Sequence, residues 1–481
     1  MSTTLRPSVP VPDTVIERLK ALAGPGGYIE GEAESTAYCK PWRGTWEGRS
    51  RLVLRPKTTE EVAAIVKICA ESRTPIVPQG GNTGMTYGGL PATDMSEIVL
   101  STARMRGIRA IDPINDTMTV EAGVVLKEIQ AAAVDTGRLF PLSLGAEGSC
   151  QIGGNISTNA GGIQVLRYGN TRNLVLGLEV VLPDGRVWNG LRGLRKDNTG
   201  YDMKQLFIGA EGTLGIITAA VLRLFPKPRE AQSAWIAVDS PAVGLALLMH
   251  MKSRLGEAIT SFELIRRSII DFLLAGVPGH SDPMSQAHPW YVLMEVTGQG
   301  ETGSLAEPLT SALEAAAESG LVRDAVIASS GEQARRLWRM REDLPDAQKA
   351  AGGSIAHDVS VPLSRIAEFI ASADAAIGAA YPDVRHCCFG HLGDGNLHYN
   401  PIRPLDWSYE RYAAETANIN RIVHDIVVDL GGSISAEHGI GRLRLEENQR
   451  YKSPVEIELM ISVKRALDPL NIMNPGRVVS I

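Results

Sequence analysis

The sequence predicts an α+β fold in two or three domains, on three observations. The chain of 481 residues exceeds the ~100–200 residues of a typical single domain. From Arg51 to Phe225, helix and strand signals alternate between unusually glycine-rich loops. From about Pro226 the glycine clusters thin out and Ala-rich helical segments such as SLAEPLTSALEAAAESG and VPLSRIAEFIASADAAIGAA take over, until glycines return at Gly431. The expected boundaries are therefore 1–225, 226–430 and 431–481.

Local chemistry justifies the elements in turn. KTTEEVAAIVKICAES places Glu61 three residues after Thr58, a capping-box spacing, and Val62, Ile65, Val66 and Cys69 then recur at helical period. PIVP is a short strand that runs straight into QGGNTGMTYGG. NLVLGLEVVLPDGRVW is two strands joined at Pro-Asp-Gly. Near the end, Ser453-Pro454-Val455-Glu456 sets a capping serine, a proline at the first helical position and a glutamate at the third.

Composition removes several function classes. With 44% hydrophobic and 21% charged residues the chain can bury a large core without disulfides or a structural metal. A net charge of -6 and the lack of any polybasic block argue against nucleic acid or an anionic membrane surface as the main partner. The five cysteines are an odd number, and the adjacent Cys387-Cys388 lacks the spacing of a zinc or redox pair, so buried reduced thiols are expected. The N-terminus has no apolar run behind a basic start, and no stretch approaches the ~18–20 apolar residues of a membrane span. A soluble, cytoplasmic protein is the expectation.

GHLGDGNLHYN, Gly390 to Asn400, carries the first chemical signal. Asp-Gly between strand-like residues predicts a two-residue hairpin turn. With Asp394 and Gly395 as the loop, His391 faces His398, with Cβ atoms ~4.5–5.5 Å apart. Asn400 projects from the same face. Two imidazoles so placed suit a divalent metal such as zinc or manganese, given a third ligand. ISAEHGIG offers one: at an irregular bend near Gly439, Glu437 completes the metal set while His438 stays unligated as a base. The bland alternative is a cross-strand histidine pair that only hydrogen-bonds, with Glu437 a surface carboxylate.

Three glycine-rich stretches carry the second signal: PQGGNTGMTYGG (Pro78 to Gly89), LGAEGSCQIGGNISTNAGG (Leu144 to Gly162) and GAEGTLGIIT. None is a P-loop or a dinucleotide fingerprint, because the required spacings are absent. Tight turns would explain one such loop. Three of them, nearly free of Lys and Arg, imply backbone amides wrapped around an extended phosphate-bearing ligand.

Taken together with SAEHGIG and NPGRV, these motifs resemble the FAD-linked oxidases and dehydrogenases of the vanillyl-alcohol-oxidase/PCMH fold, and most closely the D-2-hydroxyacid dehydrogenases, including D-lactate and D-2-hydroxyglutarate dehydrogenases and the flavin subunit of glycolate oxidase. The resemblance runs from Pro78 to Val478. It implies a PCMH-type FAD-binding domain, a cap domain over an antiparallel sheet flanked by helices, and a C-terminal segment returning to the flavin. By the same resemblance FAD is bound by Pro78, Gly80, Gly81, Asn82, Thr83, Gly84 and Met85, and by Leu144, Gly145, Gly148, Ser149, Gly153, Gly154, Ser157 and Gly161. Ile217 and Asn474 join them. Asn82 stands where some relatives carry a flavin-linking histidine, so non-covalent FAD is expected.

The family likeness also implies that His391, His398 and Glu437 hold a divalent metal, zinc or manganese, that grips the substrate's α-hydroxyl and carboxylate. His438 then serves as general base and Asn400 lies beside the substrate. Histidine suits the task because its charge changes near neutral pH. Arg341, in LWRMRED, matches the family's carboxylate anchor; without the likeness it reads as a helix-surface arginine. Two departures stand out. Ala356 replaces a lysine of many relatives, and Pro345 replaces a threonine of the dicarboxylate-specific members. Both losses tilt the expected substrate from D-2-hydroxyglutarate towards D-lactate or another small D-2-hydroxy acid. The implied electron acceptor is an electron-transfer flavoprotein or a quinone, and a homodimer is compatible. The rival readings are a flavin-binding protein that has lost turnover and a flavin-free metallohydrolase, which leaves the glycine loops unexplained.

Overall fold

The computed structural model describes residues 9–481. The first eight, on which the expectation of no leader partly rests, lie outside the described residues. The chain divides into two compact units, one of Met1–Gly161, Asn170–Pro226 and Glu437–Ile481, the other of Gly162–Gly169 and Lys227–Ala436.

In the first unit the helix Thr59–Ser72 forms as its periodicity requires, burying Val62, Ile65, Val66 and Cys69 with Leu54, Ile76 and Leu100. Its cap differs in one detail. Thr58 accepts from the Glu61 N–H, but the Glu61 carboxylate accepts from Lys57 N at 2.7 Å rather than from Thr58, so only half of the capping box closes. The strands Val53–Leu54, Ile98–Ser101 and Ile76–Gln79 run parallel. A second, antiparallel sheet of five strands contains the expected pair Val175–Val181 and Val187–Gly190. The helix Pro454–Leu467 starts with a closed Ser453/Glu456 capping box.

The C-terminal segment is held by a buried charge cluster. Met473 bridges to Ile76 in parallel, and Arg477, 1% exposed, reaches Glu97 at 2.8 Å while Arg442 reaches it at 2.9 Å.

The second unit is one seven-stranded, wholly antiparallel sheet in the order Asp324–Ile327, Glu230–Val238, Trp290–Gly298, Ile259–Arg266, Cys388–His391, Asn396–Tyr399, Asp358–Ser360. Its central strands are buried on both faces and carry near-continuous apolar runs such as Tyr291–Met294. On one face Ile265, Tyr291, Leu293 and Phe389 pack with Leu337 and Met340 of helix Gly331–Glu342. On the other, Gly244 of helix Pro241–Leu255 lies against Leu264, Val292 and Leu392. The excursion Gly162–Gly169 joins this unit through Ser261 Oγ donating to Ile163 O at 2.8 Å and through Leu166 beside Gly393.

The acid stability of the first unit follows from Glu97. Burial pushes its carboxyl up, but Arg477 and Arg442 pull it below the ordinary carboxylate range. A folded value below the unfolded one stabilises the protein above the unfolded value of ~4.3, and this contribution fades as pH falls through the folded value. Thermal melts from neutral pH to about pH 3 are expected to show a steeper acid decline in the wild type than in Glu97→Gln. At neutral pH the variant loses about 3–5 kcal/mol, because Arg477 is left as an unpaired buried charge. Equal acid slopes would refute the assignment.

Candidate active site

The glycine loops converge in the first unit on a cleft of about 970 Å³ counted out to its mouth. Of the expected ligand-binding residues, Pro78, Gly80, Gly81, Asn82, Thr83, Gly84, Gly153, Gly154, Ser157, Ile217 and Asn474 line it. Met85, Leu144, Gly145, Gly148, Ser149 and Gly161 are not among its lining residues. The Leu144–Ser149 stretch forms local turns, with Glu147 and Ser149 N–H donating to Leu144 and Ala146 carbonyls. Residues the sequence reading passed over, including Gln79, Thr86, Gln151 and Glu211, also line the cleft. All sit inside or beside the glycine motifs, so extending each motif by its polar neighbours would have found them.

The walls show what the cleft can hold. Gly81 is required by the protein itself, because a Cβ there would meet Ser149 O at 2.1 Å. Gly84 and Gly154 are different: a Cβ on either meets nothing within 4 Å, and neither has positive φ. No feature of the chain excludes a side chain there. Gln79, Asn155 and Asn474 bring buried side-chain oxygens to the same walls with no protein partner. Bare backbone and unspent acceptors fit a large ligand that carries both phosphate and N–H groups. Asn82, held at φ 54°, donates to Ala37 O and Lys40 O.

His438 also lines this cleft. The bend expected at Gly439 is present, with φ +77°, and it is clamped by Glu211, whose carboxylate accepts from Ile440 N at 2.7 Å and Gly441 N at 2.8 Å. Thr86 Oγ1 donates to His438 O at 3.1 Å.

In the second unit the hairpin corrects the expected register. His391 faces Asn396, and His398 faces Phe389. The loop comprises Leu392 to Gly395, with Asp394 and Gly395 N–H both directed at His391 O. A two-residue turn of the predicted type needs positive φ at both central positions, and only Gly395, at φ +88°, has it. The register moves by an even number of residues, so both histidines keep the same face. Their ring centroids lie 5.7 Å apart.

Ala436 N donates to Asp358 O at 3.2 Å, and Glu437 follows one peptide bond later. The two imidazoles of the hairpin, with a carboxylate as third donor, match the donor chemistry of zinc or manganese.

Arg341 is not a surface residue: it is 8% exposed, stacks over Phe389 at 4.8 Å and donates from Nε to Glu263 at 2.7 Å. Asn400 is buried beside the hairpin. Its Oδ1 accepts from His357 N at 2.8 Å and its Nδ2 donates to Gln348 at 3.3 Å, so it braces the hairpin. Ala356 and Pro345 are both exposed.

Residues 227–478 match the family described as FAD linked oxidases, C-terminal domain, and residues 50–190 match an FAD binding domain. The chain belongs to the FAD-linked oxidases. As a member it is an FAD-dependent oxidoreductase acting on CH–OH groups. Among its relatives, the probable mitochondrial D-2-hydroxyglutarate dehydrogenase of Oryza sativa subsp. indica is 38% identical over 96% of this chain and 81% of that protein. The mitochondrial D-2-hydroxyglutarate dehydrogenase of Bos taurus is 40% identical over 95% and 81%. The fold is that of p-cresol methylhydroxylase, at TM-score 0.78 and 19% identity, covering 97% of this chain and 96% of that one. These relatives overturn the cytoplasmic expectation, because both are mitochondrial by name. All five cysteines are free and buried. No helix among the described residues is long and apolar enough to cross a membrane.

The open glycines give a direct test of the FAD cleft. Gly84→Ala and Gly154→Ala are expected to fold as the wild type by thermal melt while retaining FAD roughly tenfold less tightly, about 1.4 kcal/mol. Flavin absorbance per protein after desalting reads the effect, and wild-type retention in both variants would refute it.

Proposed function

We propose that this FAD-linked oxidase is a metal-assisted dehydrogenase that converts a D-2-hydroxy acid to the 2-keto acid. The observation that carries the reading is the pair of imidazoles, His391 and His398, on one face of the hairpin with ring centroids 5.7 Å apart. By the family likeness Glu437 is the third donor, and the next residue in the chain, His438, lines the glycine-walled cleft.

Each residue has a distinct task. His438 accepts the proton of the substrate hydroxyl at its imidazole nitrogen. Arg341 takes the substrate carboxylate through its Nη groups, a bidentate match. Asn400 and Gln348 keep the hairpin rigid beneath the histidines. A divalent cation, zinc or manganese, would be held by His391, His398 and Glu437 and would supply Lewis acidity to the α-hydroxyl. FAD would be held non-covalently, with Asn82 in the first loop, and would supply the hydride acceptor for oxidation of Cα. An electron-transfer flavoprotein or a quinone would be the electron acceptor.

Ala356 and Pro345 favour a small acid, whereas both relatives above are named for D-2-hydroxyglutarate. Both acids are therefore tried. Anaerobic addition of D-lactate and of D-2-hydroxyglutarate to the purified protein is expected to bleach the flavin with at least one of them, and prior EDTA treatment is expected to abolish the bleaching. A fully loaded flavin that neither acid reduces would point to a flavoprotein without turnover. His438→Asn is expected to keep its FAD and lose about 10²–10⁴-fold in kcat. Unchanged turnover in that variant would remove His438 from the mechanism.

A further inference from the structure

Glu263 is an anomaly for a sheet interior. It is fully buried in the central strand Ile259–Arg266, between the buried apolar residues Phe262 and Leu264, and directly faces His391 across the ladder. Charged groups are almost never buried in this way unless paired. Its two oxygens are divided between two partners: Oε1 lies 2.6 Å from Nδ1 of His391, and Oε2 accepts from Nε of Arg341 at 2.7 Å. The proposed reaction gives Glu263 no task, although it touches both the metal-side histidine and the anion-side arginine.

We propose that Glu263 is a positioning residue that sets both ends of the substrate's grip at once. The inference rests on the metal-assisted reading above. An ionised carboxylate can only accept hydrogen bonds, so His391 presents its hydrogen on Nδ1, and in that tautomer Nε2 is the ring nitrogen that carries the lone pair. The same carboxylate takes Arg341 through Nε. Among the described residues no hydrogen bond occupies either Nη of Arg341, and that edge remains for a carboxylate ligand. The Phe389 ring, 4.8 Å from the guanidinium and 5.1 Å from the His398 ring, packs between the two ends and limits their movement.

A purely structural ion pair would influence stability alone, so the test reads metal binding. Metal-stripped, FAD-loaded wild type, Glu263→Gln and His398→Ala are titrated with Zn²⁺ and with Mn²⁺ against a chromophoric chelator. Glutamine keeps the shape of Glu263 but must turn its NH₂ towards one of the two donors. Glu263→Gln is expected to bind metal ~10–100-fold more weakly and to show a raised KM for the hydroxy acid, with FAD content unchanged. If wild type binds, His398→Ala does not, and Glu263→Gln matches wild type, the positioning role is overturned while the metal reading stands. If wild type binds neither ion, the metal reading fails and takes this inference with it. Should Glu263→Gln not fold, ¹⁵N-histidine spectra of the metal-stripped wild type decide instead. The Nδ1-protonated tautomer of His391 is expected, and the Nε2-protonated tautomer overturns the proposal.

Discussion

The first unit depends on one buried carboxylate, Glu211. Its side chain accepts from Ile440 and Gly441 N–H, its own N–H donates to Ser157 O at 2.7 Å, and its carbonyl accepts from Asn474 Nδ2 at 2.7 Å. A single residue of GAEGTLGIIT therefore ties the second glycine loop, the SAEHGIG segment and the C-terminal NPGRV to one another. Burial pushes its carboxyl upward against those two N–H donors, and its own φ is +51°, which is uncommon outside glycine. Local strain of this kind persists where the surroundings over-determine it, and here it fixes the bend that follows Glu437 and His438.

That bend resolves a problem of strand geometry. Consecutive residues on a regular strand point to opposite faces, and a positive-φ glycine at 439 releases the chain from this alternation. A Cβ on Gly439 would meet Glu211 Oε1 at 2.7 Å, so the turn and its clamp require the same glycine. The histidine hairpin follows the opposite strategy. It is seated in a continuous antiparallel sheet and braced beneath by Asn400, Gln348 and His357, so its imidazoles inherit the rigidity of the ladder. Sites built on such elements hold their geometry better than sites on loops.

Several parts of this protein were legible in the linear chain because the determining chemistry is local. The helix Thr59–Ser72 and the Ser453 capping box follow from propensity and side-chain reach over a few residues. The glycine motifs, in combination, were specific enough to indicate the FAD-linked oxidases. The shared face of His391 and His398 was also legible, since it depends only on parity. The loop length was not, because a hairpin's register is settled by backbone φ and by contacts beyond it, here Gly393 N–H donating to Phe262 O at 3.2 Å.

The amino-acid sequence by itself therefore determined the fold family, the cleft-forming loops and the donor types of the candidate site. The tertiary structure alone decided which donors are spent. Nothing near Glu263 in ITSFELIR marks it as different from any edge carboxylate; its importance arises from strand pairing with His391 and from a helix that brings Arg341 to it across a separation of 78 residues. For Asn400, two positions past a histidine, the spacing gives no sign that its Oδ1 accepts from His357 N and its Nδ2 donates to Gln348. Hydrogen-bond partners of buried polar groups come from wherever the fold places them, and no reading of spacing along one segment can supply a partner that lies on another.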